Sequence, residues 1–239
     1  MRQDVTSVSS ATHSGTVRLR NEDRLLVRTD IGLWAVADGA GGHAGADVAA
    51  GLIVSDLNQI VGGASAMLDP DQVTRVVANT HRTLIDAANA RGVDAMVSTI
   101  AVLIHGGAHV VCLWAGDSRI YRLRGGDLEQ LTEDHSLARE LVQSGDITPE
   151  EALRHPQRHI ITRAVGAPAH EFALASRKLG TVPGDVYLLC SDGLCKVLTD
   201  PEIAAILVRA EEKSPADALV QAALANHATD NVTAIVVAL

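Results

Sequence analysis

Aromatic residues are almost missing from this 239-residue chain, which has one Phe, two Tyr and two Trp, 2% of the total. Stacking platforms for bases are therefore scarce, and the core must be built from Ala, Val, Leu and Ile. Basic residues are also in deficit: 20 Lys and Arg face 29 Asp and Glu, for a formal net charge of -9. That balance argues against nucleic acid and anionic membrane as partners, since both want clustered Lys and Arg. Cys112, Cys190 and Cys195 form an odd set with no CxxC, which excludes a disulfide framework and fits a reducing compartment. No apolar run reaches the roughly 18 residues of a membrane span. The most apolar stretch, Met96 to Ile104, is broken by Ser98-Thr99. The start, Met1-Arg2-Gln3-Asp4, has no apolar signal region, so a cytoplasmic location is expected.

At 47% hydrophobic and 21% charged, the composition is that of an ordinary globular chain able to bury one sizeable core. Extended pieces are expected at 5–11 and 25–28, and at the apolar run Leu33-Trp34-Ala35-Val36-Ala37. A glycine-rich turn, 39–43, leads to Ala46, Ala49, Ala50, Ile53, Leu57 and Ile60 at helical spacing. Asp69-Pro70 marks the start of a second helix. Runs at 96–105 and 109–115 joined by Gly106-Gly107, and at 119–124 and 127–131 joined by Gly125-Gly126, read as a four-strand meander. Residues 132–163 read as a polar, irregular insertion outside the sheets, with a capping box at Thr148-Pro149-Glu150-Glu151. Strands are expected at 172–179, 185–190 and 232–238, and helices after Thr199 and Ser214. With no repeat and no long linker, one α+β domain over residues 1–239 is expected.

Asp38, Asp117, Asp192 and Asp230 each stand where an apolar strand meets a small-residue turn. Any one of them alone reads as a turn-capping Asp. Four together, if they converge, cannot remain unpaired, because like charges at close range take up protons or recruit cations. An all-oxygen donor set suits Mg2+ or Mn2+ better than Zn2+. His105 and His109 are four apart, but the glycines between them make a turn, so a zinc pair is disfavoured. Two metals held by shared carboxylates offer a route to hydrolysis, with a bridging water that loses its proton near neutral pH. An Arg to hold phosphate oxygens would complete such a site, and Arg18-Leu19-Arg20-Asn21-Glu22-Asp23 offers two.

Five ordered segments carry a family resemblance: Gly15-Thr16-Val17-Arg18-Leu19-Arg20-Asn21-Glu22-Asp23, Val36-Ala37-Asp38-Gly39-Ala40-Gly41-Gly42-His43, Gly116-Asp117-Ser118-Arg119, Ser191-Asp192-Gly193 and Asp230-Asn231-Val232-Thr233. The chain resembles the bacterial metal-dependent serine/threonine protein phosphatases of type 2C, the PPM family. That resemblance implies a central β-sandwich of two antiparallel sheets flanked by helix pairs, with a dinuclear site at one end. It implies Asp38 as the carboxylate bridging both metals, the Gly39 carbonyl as a further ligand, and Asp192 and Asp230 as the remaining carboxylates. Asp117, with Asp192, would hold a third, weaker Mg2+ or Mn2+ ion, and Arg18 would bind phosphate. Glu22, Asp23 and Asn231 would support the site, and 132–163 would be the flap. The implied reaction is hydrolysis of phosphoserine and phosphothreonine by a hydroxide bridging the two ions. The implied partners are phosphorylated proteins and a cognate Ser/Thr kinase, with the enzyme a monomer. Some compact members of this type stand in type VI secretion loci, and Gly32-Leu33-Trp34-Ala35-Val36-Ala37-Asp38 is similar to those.

Ala40 stands where many relatives carry His or Met, and alanine has no proton to give a leaving group. His43 is open to two readings, a substitute acid or a supporting residue of the turn. Three other readings are disfavoured. Residues 39–44 fit a GxGxxA dinucleotide turn with Asp56 downstream, but Asp38 would face the pyrophosphate and no second parallel strand follows. A cysteine-dependent phosphatase needs Arg six positions after its Cys, where this chain has Ser118, Lys196 and Pro201. A non-catalytic phosphoprotein binder of this family usually loses metal carboxylates, and all four positions are filled here.

Overall fold

The computed structural model describes residues 5–40, 45–62, 68–152, 154–168, 172–209 and 214–239. One antiparallel sheet has the order β1 (Ser7–His13), β12 (Val232–Ala238), β11 (Val186–Cys190), β8 (Arg119–Arg124), β9 (Asp127–Gln130). The other runs β10 (Ala175–Gly180), β7 (His109–Ala115), β6 (Ile100–Gly106), β3 (Leu33–Ala37), β2 (Arg24–Arg28). Two short strands, β4 (Gly39–Ala40) and β5 (Val97–Ser98), pair with each other. Helices α1 (Ala46–Asn58) and α2 (Pro70–Arg91) cover the second sheet. Helices α5 (Asp192–Cys195), α6 (Asp200–Val208) and α7 (Pro215–Ala225) cover the first.

Strand alternation explains the four layers. From β3, Leu33, Ala35 and Ala37 point to α1 and α2, while Trp34 and Val36 enter the space between the sheets. From β12, Val232, Ala234 and Val236 meet the helices of the other side, and Ile235 and Val237 point inward. Because helices cover both outer faces, these strands are buried along almost their whole length and, Thr233 apart, apolar, although their sheets are antiparallel. Each fully buried Leu, Ile or Val contributes about 1.5–3 kcal/mol.

Helix starts follow their capping residues. Asp69 accepts from the Asp71 N–H (3.0 Å), with Pro70 in the first turn of α2. Thr199 and Glu202 close a capping box on α6. Ser214 departs from expectation: it is left-handed (φ 62) and its side chain caps nothing. The Ala216 N–H is satisfied instead by Ser9 Oγ of β1 (3.2 Å).

The meander expected over residues 96–131 is instead two hairpins on two sheets. β6 pairs with β7 and β8 with β9, but β7 and β8 lie in different sheets. The chain crosses at Gly116, whose φ of +111 ends β7 and redirects the backbone. The first hairpin turns on Gly107-Ala108 rather than Gly106-Gly107, since Gly106 pairs with His109. The long strand expected from Met96 divides at Thr99, whose N–H donates to the Asp38 carbonyl (2.8 Å). Within 132–163, α3 (Leu137–Ser144) was not expected, and α4 (Pro149–Ala152) follows the Thr148–Glu151 capping box.

Candidate active site

Four strand ends deliver the four aspartates to one end of the sandwich. Asp38 follows β3, and its backbone is clamped: its N–H donates to Thr99 Oγ1 (3.2 Å) and its carbonyl also accepts from Ser98 Oγ (2.9 Å). At Gly39 a Cβ would stand 2.6 Å from the Ala46 carbonyl oxygen, so only glycine lets β4 run against the start of α1. Asp117 sits at the crossing between sheets, 7% exposed. Asp192 opens α5 directly after β11 and Ser191, and Asp230 precedes β12.

These carboxylates act on one another. Burial, followed by the charges of Asp23, Asp192, Asp117 and Asp230, holds the Asp38 carboxyl well above the ordinary carboxylate range. Burial and the Asp192 charge push Asp117 up to about 7. Asp23 is pushed up to about 6 by burial, against the pull of the Thr233 hydroxyl, which donates to its Oδ2 (2.6 Å). Asp23 Oδ1, Asp117 Oδ1 and Asp192 Oδ1 are buried with no hydrogen-bond partner. Leaving such atoms unsatisfied costs about 1–3 kcal/mol each.

An oxygen-only donor set with unpartnered buried carboxylate oxygens fits a hard divalent cation. Among the described residues no three of these side chains form a ready-made cage. Two of the four are turned onto basic partners. Arg18 forks onto Asp230, Nε to Oδ1 at 3.0 Å and Nη2 to Oδ2 at 3.3 Å. Lys196 pairs with Asp192 Oδ2 and stands 3.8 Å from Asp230 Oδ2.

The loop carrying Arg18 is held by Asn231, which is buried and fully used. Its amide donates to the Ser14 (3.0 Å) and Arg20 (2.9 Å) carbonyls, and its Oδ1 accepts from the Glu22 N–H (2.8 Å). Gly15 makes the close approach possible: with φ +79, its missing Cβ would lie 2.1 Å from the Asp230 carbonyl oxygen. Arg18 itself is half exposed. Asn231 thus works on the loop opposite as well as on its neighbour, whose Oδ1 accepts from the Asn231 N–H (3.0 Å). Glu22 meets this network through its backbone. His43 lies outside the described residues.

Four residues escaped the reading from sequence. Lys196 follows Asp192 by one helical turn, a spacing that could have found it. The hydroxyls of Thr99 and Ser118, 2.7 Å apart, tie the Asp38 clamp to the crossing that carries Asp117. His159, from the 132–163 segment, is held below its ordinary pKa by burial and then by the Lys196 charge. That segment is fastened to the site by the His135 N–H on the Gly116 carbonyl (3.0 Å) and by Arg119, which grips Asp134 (2.6 Å).

The protein phosphatase 2C profile matches residues 11–227. The chain belongs to the protein phosphatase 2C family. It is 36% identical over 231 residues to the serine/threonine protein phosphatase PstP of Mycobacterium tuberculosis, covering 93% of this chain but 43% of PstP. It thus spans less than half of that relative. To the serine/threonine phosphatase stp of Listeria monocytogenes it is 32% identical over 235 residues, covering 95% of this chain and 93% of stp. Among solved structures, PppA, a key regulatory component of T6SS in Pseudomonas aeruginosa, superposes with a TM-score of 0.88 at 39% identity, over 98% of both chains. A PstP catalytic domain solved with two manganese ions superposes at 0.83 and 32% identity, over 97% of both chains. The type 2C fold, two antiparallel sheets flanked by helices, is the fold described above. Among the described residues no helix is long and apolar enough to cross a membrane.

Proposed function

We propose that this chain hydrolyses phosphoserine and phosphothreonine on proteins, using two Mg2+ or Mn2+ ions. The observation that carries the reading is the convergence of Asp38, Asp117, Asp192 and Asp230 on one end of the sandwich, with buried oxygens of Asp117 and Asp192 unpartnered. Asp38, with the Gly39 carbonyl, would hold both ions, and Asp192 and Asp230 would complete the first. When bound, the ions supply an acidified water and polarise the phosphoryl oxygens.

The chain's own groups do the positioning. Arg18 already presents its fork to a carboxylate, and the same two N–H groups match two oxygens of a phosphate. Its half-exposed position allows it to exchange Asp230 for substrate. Asn231 keeps its loop in register, and Asp23, fixed by Thr233, stands beside Asp38 and Asp192. Residues 1–239 act as one catalytic unit with 132–163 as a flap beside the site. Ala40 gives no proton, so the leaving group is protonated from elsewhere, and His43 supports the turn or fills that role.

We further propose a cytoplasmic monomer that reverses the work of a Ser/Thr kinase, either on the kinase or on its substrates. The T6SS role of PppA makes a kinase of such a system a first one to test. Manganese-dependent phosphate release from a phosphothreonine peptide tests the reaction: wild type should turn over and Asp38→Ala should not. Activity that survives thorough EDTA treatment would sink the reading.

A further inference from the structure

We propose that the Lys196 ammonium is a built-in cation that takes the place of a third divalent ion at the Asp192–Asp117 edge of the site. The inference rests on the two-metal reading above and sharpens it. The resemblance to the type 2C family implies a third, weakly held ion shared by Asp117 and Asp192. In this chain that edge already holds a positive charge: Lys196 pairs with Asp192 Oδ2 and lies 3.8 Å from Asp230 Oδ2. Its charge also reaches Asp117.

Local folding makes this placement hard to avoid. Asp192 opens α5, and the Lys196 N–H donates to the Asp192 carbonyl (2.8 Å), so the two side chains stand one turn apart on one face. Gly193 cannot be replaced in this turn without a shift, because a Cβ there would lie 2.0 Å from the Asn231 carbonyl oxygen. The Lys196 side chain is only 31% exposed, and its ammonium points into the carboxylates rather than to solvent.

The chemistry of the two cations differs in a way that matters here. Mg2+ demands a near-octahedral set of oxygens at about 2.0–2.1 Å, most of them waters at a weak site. An ammonium brings one charge and three donors on a tether and needs no such set. It holds Asp192 in place without competing with the first metal for both carboxylate oxygens, since Oδ1 stays free of it. Lys196 is thus a positioning residue that acts through Asp192.

Calorimetric titration of the metal-stripped full chain with Mn2+, with the free ion followed by electron paramagnetic resonance, counts the sites. Wild type should bind two ions. Lys196→Ala and the bulk-preserving Lys196→Gln should each bind a third, lost again in the Lys196→Ala/Asp117→Asn double variant, with circular dichroism confirming the fold of all. A third ion bound by wild type as tightly as by Lys196→Ala would overturn the inference. Two ions in every variant would do so equally, because removing the ammonium would then have released no site. Fewer than two in wild type would bring down the metal-centre reading itself, and this inference with it.

Discussion

Strand β11 carries a buried aspartate at each end, and the two are opposites. Asp185, just before it, is fully buried and every demand of its carboxylate is met. Arg124 forks onto it at 2.6 and 2.7 Å, and the Val182 N–H (3.0 Å) and Tyr187 hydroxyl (3.1 Å) add two more donors. Although burial opposes it, Arg124 with these donors draws its pKa below the ordinary range. At the other end, Asp192 keeps one oxygen unpartnered, among carboxylates whose pKa values are raised. Burial alone therefore does not mark a site. Asp185 is an anchor because its partners are complete; the Asp192 end, whose partners are not, is the candidate for chemistry.

The largest way to test that contrast is to neutralise the Asp192 end. Asp192→Asn should lower manganese-dependent turnover by about 10²–10³-fold, the usual loss for one preorganised electrostatic contact. The melting temperature of the metal-stripped protein should stay level or rise; a fall in melting temperature with turnover retained would exchange the roles of the two ends. Asp185→Ala should do the reverse. Orphaning Arg124, which is 36% exposed and so partly rehydrated, should cost about 2 kcal/mol in urea unfolding. Phosphatase activity per folded molecule should be unchanged, and a loss of kcat would contradict the anchor role.

Asn231→Ala is a smaller perturbation that touches only the loop bearing Arg18. KM for a phosphopeptide should rise about tenfold, as for other supporting hydrogen bonds, with a lesser change in kcat. An equal fall in kcat at constant KM would mean that the loop does not position substrate. The smallest effect is in acid. Asp185 has a lowered folded pKa, so its contribution is full above the ordinary value of 3.8 and is lost as pH falls through the depressed one. Wild-type stability should therefore drop more steeply with acid than that of Asp185→Asn over that window, and parallel curves would refute it.

Much of the site was legible because each aspartate follows or precedes an apolar run at a small-residue turn. Ala37-Asp38-Gly39 is the plainest case: five buried residues stop where the chain needs a carboxylate and a glycine. The partition of the two hairpins between sheets was not legible, because Gly116 signals a break but says nothing of which partner the next strand will find. α3 escaped because its eight residues lie inside a polar, irregular stretch, although Ser136 caps it and its apolar residues do share one face. Lys196 escaped because a single Lys after a small-residue turn reads as solvated until the fold places it among three carboxylates.

The near-absence of aromatic side chains has an optical consequence. Both tryptophans of the chain, Trp34 and Trp114, lie in the layer between the sheets, and none stands in either helical layer. Trp114 donates its indole N–H to the Glu133 carbonyl (2.8 Å) and stacks on His135 at 6.2 Å, at the root of the 132–163 segment. Excitation at the indole band therefore illuminates the middle of the molecule alone. Trp34 gives a signal from within the closed sandwich, and Trp114 is an intrinsic emitter beside the root of the 132–163 segment. A change in its emission would report a change in its contacts with Glu133 and His135 in the native protein, with no dye attached.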